Sequence, residues 1–69
     1  MEFEMRPLLT EIEVAKQLCL TTHTLRKWRW LGKGPNFIKI GSSVRYEQEK
    51  ITSFIEDNIK KSTSELTHG

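Results

Sequence analysis

Apolar positions recur every three or four residues over 14–31, alternate over 38–46, and return to helical spacing from Ile51. The first stretch is preceded by Leu8-Leu9 and by Thr10-x-x-Glu13, the spacing of a capping box in which each side chain satisfies the other residue's backbone N–H. Val14, Ala15 and Leu18 then form one short stripe, which predicts a first helix over 11–18. Cys19-Leu20 interrupts the pattern. Thr21 or Thr22 caps a second helix that runs to Leu31 and stops at Gly32. At ~100° per residue, Leu25 and Trp28 point to the core, with Thr21 and Gly32 close to the same line. His23, Arg26, Lys27 and Trp30 fall together on the opposite side. Thr22 and Arg29 flank one edge of that side, and Thr24 and Leu31 the other. Trp28 is therefore assigned to the core and Trp30 is not.

Gly34-Pro35-Asn36 reads as a turn, and "FIKIGSSVRY" as a hairpin with two conceivable registers. A two-residue loop, Gly41-Ser42, pairs Ile38 with Arg45 and sets arginine among apolar groups. A three-residue loop, Gly41-Ser42-Ser43, pairs Ile40 with Val44 and Ile38 with Tyr46, gathering all four apolar side chains on one face. The second is the expected register. It sets Lys39 opposite Arg45, where like charges destabilise by roughly a few tenths of a kcal/mol or more unless an anion lies across them. A third helix starts near Glu47 or Gln48, with Ile51, Phe54, Ile55 and Ile59 as its buried stripe. Periodicity ends at Lys61. The expected organisation is a loose arm over 1–7, one domain over 8–60, and a disordered tail over 61–69.

Composition adds little until charge is mapped along the chain. The 69 residues make one domain at most. The single cysteine, Cys19, excludes an internal disulfide. No apolar run approaches the ~18 residues of a membrane span, and the acidic start does not suit a signal peptide. A cytoplasmic protein without membrane contact is expected. The net charge is +2, but residues 14–46 contain no acid and seven cations: Lys16, Arg26, Lys27, Arg29, Lys33, Lys39 and Arg45. The rest of the chain holds four cations against nine acids, a net −5. Scattered charges would read as a solvated surface. Segregation points to an anionic partner, nucleic acid before membrane.

Two helices joined by a tight turn, the second cationic on its outer face, have the form of a DNA-reading helix-turn-helix. A helix entering the ~12 Å major groove needs donors rather than carboxylates on its outward side. His23, Arg26 and Lys27 can reach base edges or phosphates, while Thr22 and the free amides of the helix N-terminus can hold a phosphate. Lys39 and Arg45 on the hairpin would contact the backbone or minor groove beside it. Cys19 and His23, four apart, are too few for a zinc site. They read better as a buried turn cysteine and a surface histidine. No cofactor or metal is expected. No carboxylate pair or glycine-rich phosphate loop suggests an enzyme.

"LLTEIEVAKQLCLTTHTLRKW" followed by "GKGPNFIKIGSSVRYEQEKITSFI" resembles the small winged helix-turn-helix proteins of the excisionase/MerR-like group, and among them the AlpA-like regulators of phages and mobile elements. The resemblance spans about residues 8–57. It rests on Leu8-Leu9-Thr10, Val14-Ala15, Leu18, Leu20, Thr24-Leu25, Trp28, Gly32, Ile40-Gly41, Arg45-Tyr46, Ile51 and Phe54. It implies a mainly helical fold with a β-hairpin wing, and a sequence-specific double-stranded-DNA-binding protein: an excisionase (a recombination directionality factor) or a transcriptional regulator. By position it implies Thr22, His23, Arg26 and Lys27 on the recognition helix, and Lys39, Ser42, Ser43 and Arg45 on the wing; Arg29, at the edge of the same helix face, is added to the expected DNA-binding residues. An integrase or recombinase, or RNA polymerase, would be its protein partner. Cys19 departs from the pattern, since glycine is usual at that turn position; a cysteine at positive φ costs on the order of 1 kcal/mol. The third helix carries a stripe about one core wide, so a monomer that assembles cooperatively on DNA is expected. The alternative is a protein-interaction or DNA-packaging adaptor on the same fold. Trp30 stays open among covering the wing, contacting DNA sugars and docking on a partner.

Overall fold

The computed structural model describes residues 7–67, with side chains through Lys61; of the expected N-terminal arm only Pro7 falls within it. The elements are α1 (Glu11–Leu18), α2 (Thr22–Leu31), β1 (Ile38–Ile40), β2 (Ser43–Arg45) and α3 (Gln48–Thr67). Over the described residues the fold is thus mainly helical, three helices with one two-stranded antiparallel hairpin.

Local chemistry sets the helix ends. The Thr10 Oγ1 accepts from the Glu13 amide at 3.2 Å and the Glu13 carboxylate accepts from the Thr10 amide at 2.8 Å, so the capping box forms. Thr21, rather than Thr22, caps α2 by accepting from the Thr24 amide. Both helices close with the same C-terminal motif. After α1, Leu20 N–H donates to Ala15 C=O and Cys19 N–H to Lys16 C=O. After α2, Lys33 N–H donates to Trp28 C=O and Gly32 N–H to Arg29 C=O. These are Schellman pairs, which need a left-handed residue at the turn. Gly32 (φ 72°) supplies it easily; Cys19 (φ 57°, ψ 42°) is the only non-glycine residue at positive φ among the described residues.

The core draws on every helix and on the residue that ends the hairpin. Val14, Ala15, Leu25, Tyr46 and Ile51 are buried, and Leu9, Leu18, Trp28 and Val44 pack against them. Trp28 stacks at a tilt on Phe54 of α3, ring centroids 5.6 Å apart. Its other flank is closed by Gly34 (φ 88°), where a Cβ would fall 2.8 Å from the Trp28 ring. A reciprocal amide pair, Gln17 with Gln48, ties α1 to the start of α3.

The hairpin adopts the register that its apolar pattern argued against. Ile38 pairs with Arg45, Lys39 with Val44 and Ile40 with Ser43, around a two-residue Gly41-Ser42 turn. Two causes decide it. Gly41 has φ 61° and Ser42 does not share the positive φ, the signs of a type II′ turn, whose twist suits a two-residue hairpin. Tyr46 is also pinned from outside the hairpin. It exchanges two backbone hydrogen bonds of 2.8 Å with Leu9 while its ring is 1 % exposed. Val44 and Tyr46 therefore turn inward. Ile38 and Ile40 share the other face with Arg45, and Ile40 is 53 % exposed. The opposed Lys39–Arg45 pair does not exist.

The third helix differs from expectation in two ways. Ile51 is buried and Phe54 half-buried, but Ile55 and Ile59 are exposed because the core ends before they are reached. The helix also continues to Thr67, past the end expected near Ile59. No glycine or proline interrupts residues 61–67, so the loss of apolar periodicity at Lys61 does not end the helix.

Candidate functional site

The outward face of α2 carries His23, Arg26, Lys27 and Trp30, all exposed. Thr22, the first residue of the helix, is half-buried, and no acidic residue occupies that first turn. The positive end of the helix dipole is thus left without a carboxylate of its own. Trp30 is 87 % exposed, which rules out its covering the hairpin.

The arginines of α2 are nevertheless paired, by an acid from outside the acid-free stretch. Glu11 opens α1, where the helix dipole favours a carboxylate, and its side chain reaches α2. Arg26 Nη2 donates to Glu11 Oε2 at 2.7 Å, and Arg26 Nε donates to the same oxygen at 3.2 Å. Arg29 Nη2 donates to Glu11 Oε1 at 3.1 Å and Arg29 Nη1 to the Tyr46 hydroxyl at 2.8 Å. The Arg29 guanidinium also lies over the Phe37 ring, 5.7 Å from its centroid. The Arg26 hydrogen bond, and with it Arg29, holds the Glu11 carboxyl below its ordinary pKa, against a smaller opposing effect of partial burial.

The two arginines consequently differ in kind. The Arg26 side chain keeps 63 % of its surface exposed and presents its remaining donors outward. Arg29 is 17 % exposed, with both terminal nitrogens engaged inside the molecule. It joins α1, α2 and the end of the hairpin.

An open cleft of about 350 Å³ runs between the start of α1 and the hairpin. Arg29 lines it from α2, and Ser42, Val44 and Arg45 line it from the hairpin. Arg45 is half-buried, its Nη1 donating to the Val44 carbonyl. Lys39 and Ser43 are exposed on the hairpin but do not line this cleft. The fold thus gathers Arg29, Ser42 and Arg45 around one opening, links Arg26 to it through Glu11, and leaves His23 and Lys27 on the free side of α2.

One sequence-derived expectation changes here. Cys19 is exposed rather than buried, because the left-handed turn carries its side chain outward. Glu11 carries no mark of this role in the sequence, since its place in the first turn of α1 already accounts for a carboxylate there and its partners lie 15 and 18 residues away. Among the described residues, no three His, Cys, Asp or Glu side chains gather to hold a metal ion, and no helix is long and apolar enough to cross a membrane. No known protein family, curated protein or solved structure matches this chain.

Proposed function

We propose that the protein binds double-stranded DNA as a winged helix-turn-helix, with α2 in the major groove and the hairpin as the wing on the adjoining groove or backbone. The observation that carries this reading is the outward face of α2. It holds His23, Arg26 and Lys27, all exposed, without one carboxylate of its own, and Arg29 at the edge of that face lines a cleft with Ser42 and Arg45 of the hairpin. Donors of this kind suit phosphates and base edges. Thr22 and the uncompensated N-terminal amides of α2 suit a phosphate at the groove edge. Arg29, taken up inside, supports the reading surface rather than touching DNA. The biological role that fits is an excisionase or an AlpA-like transcriptional regulator of a phage or mobile element. One helix and one wing cover only a few base pairs, so specific action takes several copies on repeated sites.

A second reading has one observation in its favour. The 87 % exposed Trp30 is a side chain that a protein-interaction or DNA-packaging adaptor could dock through. One titration separates the two. With four or five phosphate contacts, the affinity for duplex DNA falls with a log–log salt slope of about −4. A slope near zero, or no binding at low salt, refutes the DNA reading and leaves the adaptor.

A further inference from the structure

We propose that Glu11 is a positioning residue for base recognition: it holds the Arg26 guanidinium so that its outer two-donor fork reads guanine. The proposal rests on the DNA-binding reading above and adds a base identity and a residue to it. A guanidinium has five N–H donors in one plane. Glu11 engages one side of that plane, Nε and Nη2. What remains outward is the end of the group, both Nη1 hydrogens and one on Nη2. That end is a rigid pair of parallel donors, and in the major groove the matching parallel acceptors are O6 and N7 of guanine.

Three features favour a base over a phosphate at this position. Arg26 is in the fifth position of α2, midway along the helix rather than at its N-terminal end, where phosphate contacts fall. The carboxylate in contact offsets the charge that would draw a phosphate, yet leaves the directional donors untouched, and the guanine edge is neutral. Exposed point charges for phosphates are already present at Lys27 and Lys33. The carboxylate is itself anchored: Arg29 grips its second oxygen, and the buried Tyr46 with Phe37 grips Arg29. Orientation is therefore transmitted from the core to an exposed side chain that would otherwise sample many rotamers.

The test is selection from a randomised duplex pool at fixed salt by the wild-type protein, Glu11→Gln and Arg26→Lys, with thermal melts to check folding. The wild type is expected to select guanine at one or two positions. Glu11→Gln should bind unselected duplex as well as or slightly better than the wild type, having lost a negative charge, but should lose roughly tenfold in guanine preference. Arg26→Lys keeps the charge and should lose the same preference, with no further loss when the two changes are combined. Replacing the selected guanine by 7-deazaguanine removes the N7 acceptor. It should weaken the wild type by a similar factor and leave Glu11→Gln unaffected. Undiminished guanine preference in Glu11→Gln, or a uniform gain in affinity at all sequences, overturns the proposal while leaving DNA binding intact; the uniform gain would mean that Glu11 merely competes with phosphate. If Glu11→Gln does not fold, Arg26→Lys decides alone, since it leaves the Glu11–Arg29 contact in place, and retained preference there overturns the proposal. No duplex binding by the wild type overturns this proposal and the DNA reading together.

Discussion

Cys19 holds φ 57° and ψ 42° with its side chain exposed, so the turn between α1 and α2 keeps the left-handed geometry that glycine adopts most easily. Cys19→Gly should therefore stabilise the fold by about 0.5–1 kcal/mol, less whatever the added freedom of the unfolded chain removes. A higher melting temperature checks it, and an unchanged or lower one would show that the turn is not strained. Glu11 allows a second test at this scale. Its folded pKa lies below the ordinary value of 4.5, so the folded state binds fewer protons than the unfolded chain. Its stabilising contribution is present above pH 4.5 and disappears as pH falls through the lowered folded value. The melting-temperature gap between wild type and Glu11→Gln should accordingly be full at about pH 7 and close on acidification below pH 4.5. A gap that persists at the lowest pH would exclude the ion pair as its cause. Arg29→Met, which removes the joint among Glu11, Tyr46 and Phe37, should destabilise by about 1–3 kcal/mol, measured by denaturant titration.

Short-range chemistry made α1 and α2 legible in the sequence. Thr10-x-x-Glu13 and Thr21 begin them, and Gly32 ends the second; the structure follows these signals closely because each acts within a few residues. The hairpin failed for the opposite reason. Its register depends on Leu9, 37 residues before Tyr46, and the backbone pairing of those two turns Val44 and Tyr46 inward. Counting apolar residues within the hairpin could not reveal that partner, though the Gly41-Ser42 pair was a usable turn signal. The corrected register changes one expectation. Lys39 faces Val44 rather than Arg45, so Lys39→Glu should leave the melting temperature nearly unchanged instead of relieving a like-charge pair. On the DNA reading it should weaken binding to all duplexes alike. A clear rise in melting temperature on this substitution would restore the rejected register. The end of α3 was illegible on similar grounds, since the stripe of Ile55 and Ile59 carries no mark of where the core stops.

At the scale of the whole molecule, charge segregation was visible in the sequence, while its internal compensation was not. The acid-free stretch reads as seven unpaired cations until folding brings Glu11 onto two of them, and the candidate site then divides into an inner arginine and an outer one. The exposed Ile55 and Ile59 do not by themselves argue for a dimer. Two side chains fall well short of the roughly 800 Å² that each partner contributes to a stable interface. Sedimentation at tens of micromolar should accordingly show the 8.1 kDa monomer without DNA. On the proposed function, one face of this molecule, the outer side of α2 with the hairpin, lies on duplex DNA. Titrating the ¹⁵N-labelled protein with a short duplex at low salt, and following backbone amide shifts, tests it most directly. The largest changes are expected at His23, Arg26 and Lys27 and at Ser42 to Arg45, with residues 55–61 of α3 undisturbed. Changes centred on α3, or bound duplex with α2 undisturbed, would contradict it.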